Sequence, residues 1–469
     1  MGNSQSEIRK YNVVLDNIQK QRINMDKDLV RENKEILGYI LEQKILPELK
    51  KDVLFESLYE CPYYTGSTYE GLRISAPTEF DINLIFDLPF NYEEDLILDE
   101  LTKTYGTISL NDDFDRLWHP NRGDYARCKD IKKYFLDKHE PRKFNALSIH
   151  QWFIGVLGKA LERLEFIYFK DRTYKLKYSV KNQSGPAHTL HVFRMEDNVL
   201  VFDVDLVPVF EFEDPNFEDL LVERTKSKYL VPKKPKDLDQ FQSENVDHIF
   251  RISYAPKERL MLDNQKNAKT VIKFLKLLRD SQNWFLVSYH LKTIVMNLNF
   301  KTWKEENQLA NYLNNAAQSL EFHLREHYLP MKHDHRHNLF GHIKNVSLDK
   351  IADRLSRIIR EVQADPDKLY VYLKAVQNGS RGNQSKDVSR SSTAECYYDQ
   401  SSDSEYDDEE IGGSEILQAA ATAAGAATGG AIAYKCFKKE GENLTDDQKA
   451  VVALSTLAGA FLGNLAIRK

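Results

Sequence analysis

Hydrophobic residues recur along this chain with two different periods, and the switch between them divides it. From Asp26 to Glu56 the apolar positions Leu29, Ile36, Leu37, Ile40, Leu41, Ile45 and Leu49 fall mostly three and four apart. That spacing predicts one long amphipathic helix, kinked or broken at Pro47. Thr65 to Phe86, TGSTYEGLRISAPTEFDINLIF, opens in a Gly-Ser turn and ends in an apolar strand. Asn91 to Thr104 reads as helical and 111–145 as polar and irregular. Ala146 to Asp171 reads as an amphipathic helix with Trp152, Phe153, Leu157, Leu161 and Leu164 on its apolar face. Three β-like runs follow: Tyr174–Val180, Thr189–Met195 and Val199–Phe212. From about Asn264 to Val376 the helical period returns, in Val271–Leu278, Trp284–Asn297 and Leu309–His327. Strands first and helices after predict an α+β fold of two lobes. An N-terminal mixed-sheet lobe with the long helix as its spine would cover 1–212, and a helical lobe 213–376.

Beyond that the pattern breaks down. Residues 377–414 lack hydrophobic periodicity, are rich in Ser, Gly, Asn and Asp, and include the run EYDDEE. They read as a disordered acidic linker. Residues 415–469 change character again. Ile416–Tyr434 and Ala450–Ile467 are uncharged, Ala- and Gly-rich, and of about membrane-spanning length. They flank Lys435, Lys438 and Lys439 and carry GxxxG spacings at Gly425–Gly429 and Gly459–Gly463. They predict a helical hairpin, inserted in a membrane or folded in water as an Ala-rich pair.

Charge alters the picture in one respect. The net charge of −6 is uneven, because nine acids and no Lys or Arg lie in 391–434, so the remainder stands at +3. The folded part is therefore mildly basic. Four cysteines, Cys61, Cys128, Cys396 and Cys436, form no CxxC pair. That excludes a disulfide scaffold or a zinc knuckle and suits a reducing, cytoplasmic compartment. The polar, charged first forty residues carry no secretory signal. Gly2 followed by Ser6 fits the N-myristoylation pattern. One acyl chain holds a membrane only marginally, so the hairpin would be the second anchor.

The candidate chemistry lies in the strand that ends at Phe86. Glu79 and Asp81 are two apart, so both carboxylates face one spot. Two such acids repel unless a cation or proton lies between them. The Gly66–Ser67 turn twelve residues earlier offers N–H groups and a hydroxyl suited to a phosphate. Asp203 and Asp205 stand two apart in a later strand, and either could complete a carboxylate trio. Such a trio can hold the two metal ions of nucleotidyl transfer.

The stretch Thr65–Phe86 closely resembles the matching segment of cyclic GMP–AMP synthase and the animal cGAS-like receptors. SGPAHTL (Ser184–Leu190), VDLVPV (Val204–Val209), YLVPKKPK (Tyr229–Lys236), FRISYAPKERLML (Phe250–Leu262), SYHLKT (Ser288–Thr293) and LPMKHDHRHNLF (Leu329–Phe340) resemble further family segments in family order. The resemblance spans roughly 10–375 and implies the bilobal nucleotidyltransferase fold. It implies Thr65, Gly66 and Ser67 at the triphosphate, and Glu79, Asp81 and Asp205 on two Mg2+ or Mn2+ ions, with Asp205 preferred to Asp203. Arg251, Lys273, Ser288 and Tyr289 correspond to nucleotide contacts, Tyr289 stacking on a base. The implied activity is synthesis of a cyclic dinucleotide from ATP and GTP in innate immune signalling.

One departure concerns the activator. The vertebrate DNA sensor carries a His/Cys3 zinc ribbon, whereas this chain has no cysteine from 129 to 395. No zinc is expected, and His333, His335, His337 and His342 read as parts of a polar turn. The chain thus looks closer to invertebrate receptors, some of which respond to double-stranded RNA. Candidate duplex contacts are the helix ridge Lys27, Arg31 and Lys34, together with Arg224, Lys226, Lys228, Lys233, Lys234 and Lys236. A homodimer formed on the ligand completes the expectation. The rivals are a catalytically silent binding scaffold and a template-free polymerase.

Overall fold

The computed structural model describes residues 5–375, apart from 25, 75–77, 112–124, 179–186, 214–226, 234 and 236–244. Gly2, the acidic linker and the Ala/Gly-rich hairpin therefore lie outside the described residues. Among those described, no helix is long and apolar enough to cross a membrane.

The chain starts with helix α1 (Gln5–Ile18), which the apolar pattern did not single out. Its Tyr11, Val14, Leu15 and Ile18 are buried in the core of the helical lobe. Helix α2 (Lys27–Ile40) is capped by Asp26, whose carboxylate accepts from the Asp28 and Leu29 N–H groups. A π-helical turn (Leu41–Ile45) then leads into α3 (Leu46–Leu49), and α4 (Val53–Leu58) begins afresh on an Asp52 cap. The predicted single helix 26–56 is thus corrected. Pro47 falls in the first turn of α3, just after the π turn, and the break comes later, at 50–52.

Ten strands form one branched sheet among the described residues. They are β1 (Tyr59–Thr65), β2 (Glu79–Phe86), β3 (Leu96–Asp99), β4 (Tyr105–Leu110), β5 (Ile167–Phe169), β6 (Arg172–Tyr178), β7 (His188–Arg194), β8 (Val199–Glu213), β9 (Ser227–Val231) and β10 (Ile249–Ser253). The main path runs β3-β4-β10-β9-β8-β7-β6-β5, and β2 branches off, parallel to β8 and antiparallel to β1. The long strand β8 therefore has neighbours on two edges. Pro208 falls between the end of its β7 pairing at Leu206 and the start of its β9 pairing at Phe210, where that edge needs no donor.

Three further expectations are overturned. Asn91–Thr104 is no helix. Asn91 and Asp95 side chains tie a turn, and Leu96–Asp99 then pairs antiparallel with β4. The pairing partner decided that run, not local propensity. Within 111–145, a helix (α6, Tyr125–Tyr134) buries Cys128, Ile131 and, just past its end, Phe135 at three- and four-residue steps. The helix starting at Ala146 (α7, Ala146–Glu162) ends well before Asp171, and β5 takes up the remainder.

The sheet also continues past residue 212, since β9 and β10 complete it. Five longer helices then follow among the described residues: α8 (Ala255–Leu262), α9 (Lys266–Gln282), α10 (Ser288–Asn297), α11 (Leu309–Arg325) and α12 (Asn345–Ala364). One buried cluster joins α2–α4, the sheet and α7; a second joins α1 to α9–α12.

Candidate active site

Alternation along β2 sends Phe80, Ile82 and Leu84 into the sheet-lobe core and leaves Glu79 and Asp81 on the other face. Parallel pairing with β8 sets Glu79 beside Asp203 and Asp81 beside Asp205, while β1 brings Thr65 opposite Asp81. Oxygens of Glu79, Asp81 and Asp205 all lie within 4.8 Å of one another. Burial, and then the Glu79 and Asp205 charges, pushes the Asp81 carboxyl up to about 7. Burial likewise pushes Asp205 up to about 6, against a hydrogen bond from Thr189 Oγ1 at 2.5 Å. Asp203 is engaged elsewhere, with His191 Nδ1 at 2.6 Å from its carboxylate. Among the described residues, Glu79, Asp81 and Asp205 form the one group of three or more such side chains able to hold a metal ion. An all-carboxylate donor set fits a hard divalent cation such as Mg2+ or Mn2+.

The Gly-Ser turn is built against this trio. Gly66 opens a one-turn helix (α5, Gly66–Tyr69) at φ +74°, and a Cβ there would collide with the Asp81 carboxylate. Thr68 Oγ1 donates to the Glu79 carbonyl at 3.2 Å, and the Leu72 N–H closes back on the Ser67 carbonyl at 2.8 Å. Arg73 lies 3.2 Å from Glu79 Oε2 and donates to Thr78 Oγ1 at 2.9 Å. The helical lobe grips the same segment. Lys292 on α10 sits between Glu70 at 2.7 Å and Glu258 at 3.1 Å, and Lys276 on α9 donates to the Leu72 carbonyl at 3.1 Å. Burial alone would lower the Lys292 ammonium, but the Glu258 and Glu70 carboxylates hold it up.

Of the residues assigned to the nucleotide, Arg251 lies on β10 of the sheet, and Ser288 and Tyr289 open α10. Tyr289 donates to Glu258 Oε1 at 2.6 Å; burial and then Glu258 push its phenol well up, and the Arg251 charge opposes them. Ser288 Oγ accepts from Arg279 Nη1 at 3.1 Å. Lys273 stands apart from these. It lines a groove of about 800 Å³ with Lys27, Arg31, Lys34, Val30 and Glu35. Lys34 in that groove lies 4.9 Å from the centre of the Tyr69 ring, one helical turn past Gly66.

The other duplex candidates divide. Lys27 and Arg31 are exposed, Arg31 against Asp28 at 2.9 Å. Lys233 is half-buried, and Arg224, Lys226, Lys234 and Lys236 lie outside the described residues. Lys228 is corrected: it is 5% exposed, with its ammonium 2.5 Å from Glu100. An ion pair so enclosed is not presented to a phosphate backbone. The histidines of the 333–342 turn do not converge. His333 stacks on Tyr254 at 4.3 Å, and His342 lies 6.0 Å from His290.

Sequence reasoning missed Arg73, Glu70, Lys276 and Lys292. The one available signal was position, since Glu70 and Arg73 follow the Gly-Ser turn directly.

Comparison with known proteins agrees with this anatomy. Residues 68–264 match the Mab-21 protein nucleotidyltransferase domain, and 267–357 match the Mab-21 protein HhH/H2TH-like domain. A cyclic GMP-AMP synthase-like receptor from Aethina tumida is 27% identical over 420 residues, 82% of this chain and 99% of that protein. The protein of that name from Tribolium castaneum is 24% identical over 390 residues, covering 80% and 94%. Another from Ctenocephalides felis is 27% identical over 404 residues, covering 79% and 89%.

Proposed function

This chain belongs to the Mab-21 nucleotidyltransferase family, and on that premise we propose that it joins ATP and GTP into a cyclic dinucleotide of the cyclic GMP–AMP type. Duplex nucleic acid, double-stranded RNA foremost, is the proposed activator. The observation that carries this reading is the meeting of Glu79, Asp81 and Asp205 with the Gly66–Ser67 turn, close enough that Gly66 has no room for a side chain.

Two Mg2+ or Mn2+ ions held by the three acids would supply charge stabilisation at the reacting phosphate oxygens. The chain's own groups do the rest. Thr65, Gly66 and Ser67 receive the triphosphate, and Ser288 supplies a hydroxyl from α10. Arg251 and Tyr289 orient a base. A ribose hydroxyl attacks an α-phosphate, a phosphodiester forms and pyrophosphate leaves; a second attack of the same kind closes the ring. The groove on α2, with Lys27, Arg31, Lys34 and Lys273, suits a phosphate backbone read by charge and shape. Lys34 against Tyr69 supports control of the turn from that groove.

Full-length protein incubated with labelled ATP, GTP and Mn2+, with and without duplex RNA or DNA, tests this by mass spectrometry. We expect one cyclic species, lost in the Glu79→Ala/Asp81→Ala double variant while the fold persists. A ladder of linear products would instead identify a polymerase. No product with any ligand would identify a binding scaffold.

A further inference from the structure

We propose that the open face of β5–β7 holds the second triphosphate of the reaction, that of the nucleotide whose ribose hydroxyl attacks, on Lys175 and Lys177; the inference rests on the nucleotidyltransferase reading above.

Strand register sets this face beside the metal-binding acids. β7 brings His191 opposite Asp203, and β6 brings Lys177 opposite His191 and Lys175 opposite Phe193. Residues opposite one another in a sheet share a face, so Lys177 is on the side that carries Glu79, Asp81 and Asp205. It stands two strands from Asp203, roughly 10 Å away. Lys175, two residues earlier on β6, shares that side. Phe166, just before β5, and Tyr168 on it complete the shelf, 39% and 69% exposed.

The chemistry of the shelf suits a polyphosphate. Lys177 Nζ lies 4.4 Å from the centre of the Phe193 ring, and Lys175 Nζ 5.7 Å from that of Phe166. An aromatic face steadies an ammonium without neutralising it. Neither lysine has a carboxylate partner among the described residues. The nearest acids are engaged: Asp203 by His191 Nδ1 at 2.6 Å, and Glu196 Oε1 by the Thr173 N–H at 2.7 Å. Two adjacent cations are thus left to an anion.

Position selects the anion. The Gly-Ser turn lies on the β1–β2 side of β8 and the shelf on its β7–β6 side, so the two are separate places. Arg251 pairs with Val231, next to the Leu230–Phe210 pair, whereas Lys177 is level with Asp203. The carboxylate trio therefore falls between the arginine assigned to a base and the shelf. A nucleotide with its base at Arg251 and its ribose at the trio reaches the shelf with its 5′-phosphates. The reaction consumes two triphosphates, and Thr65, Gly66 and Ser67 receive one; the shelf is the place for the other.

The test uses the full chain with Mg2+ and saturating α,β-methylene ATP, which fills the Gly-Ser site without turnover, and then titrates GTP and GMP. The wild type should bind GTP at least about tenfold more tightly than GMP, the size of one charge-assisted hydrogen bond. Lys175→Ala/Lys177→Ala should bind the two alike, with its GMP affinity within about threefold of wild type. Lys175→Arg/Lys177→Arg should keep the preference for GTP. If the alanine pair does not fold, Lys175→Gln/Lys177→Gln is read in the same way. No preference in the wild type, a preference that survives the substitution, or an equal loss for GTP and GMP would overturn the shelf alone. So would weaker binding of duplex RNA with the GTP preference intact, which assigns the two lysines to nucleic acid. A wild-type protein that binds no nucleotide would overturn the nucleotidyltransferase reading beneath it.

Discussion

At Gly66 two demands converge on the absence of one atom. The backbone is left-handed there, and the space a Cβ would take belongs to the Asp81 carboxylate. Gly66→Ala should cost about 1–2 kcal/mol in backbone strain, seen as a lower melting temperature. By displacing Asp81 it should cut product formation at least about a hundredfold. Near-wild-type turnover would mean that the turn is not part of the site. The neighbouring acids predict a pH dependence. Burial first, and then the neighbouring carboxylates, raises the folded values of Asp81 and Asp205 to about 7 and about 6. Stability from these two groups is therefore complete below about pH 4 and is lost as pH rises through 6 and 7. A cation offsets the loss only where the acids are ionised. Adding Mn2+ should thus raise the melting temperature more at about pH 8 than at about pH 5.5, and an equal gain at both would contradict the assignment. The acids were legible because a period of two is written into EFD and FDVD. Choosing Asp205 over Asp203 from the residues alone was not possible, since His191, which engages Asp203, approaches from another strand. Lys276 and Lys292 were illegible for the same reason, as their partners are distant in sequence.

At the scale of elements, the basic ridge and the basic loop looked alike in sequence and part in the structure. The face of α2 presents Lys27, Arg31 and Lys34 to a groove, whereas β9 turns Lys228 inward to Glu100, on the turn after β3. A run of lysines cannot reveal a carboxylate 128 residues away. Replacing Lys27, Arg31 and Lys34 by Ala should weaken duplex binding and reduce its salt slope by roughly 0.7–0.9 for each phosphate no longer neutralised. Lys228→Met should leave that slope unchanged and lower the melting temperature, because Glu100 loses its buried partner. A slope change in Lys228→Met would restore that residue to the interface. The missed α6 and misread β3 share one cause. Short elements take their type from what they pack against, here the helical and strand surfaces around Phe135 and Leu110.

The whole molecule carries buried neutral histidines in both lobes. Burial, and then His150, pulls His188 in the sheet lobe down to about 3. Burial, and then His342, pulls His290 in the helical lobe down to about 3. Each folded value lies below the ordinary one, so the unfolded chain takes up protons first as pH falls. Stability from these sites is complete above about 6.5 and declines steadily below it, with a limiting slope of about 1.4 kcal/mol per pH unit for each group. Melting curves at about pH 7 and about pH 5 should show that decline. A His188→Gln/His290→Gln variant should narrow the gap between them, and an unchanged gap would assign the acid sensitivity to other groups.

The parallel register of β2 with β8 has a consequence for synthesis of the chain. Asp81 meets Asp205 only after some 120 further residues have been made, so the carboxylate trio is a non-local meeting of side chains. Until then β1 covers one edge of β2, and the apolar run FDINLIF waits in the nascent chain with its other edge unpaired. A truncated product ending before Val199 has every feature of the Thr65–Phe86 stretch and lacks Asp205. Such a fragment is expected to be aggregation-prone and unable to assemble the trio, so the site comes into being only when β8 docks.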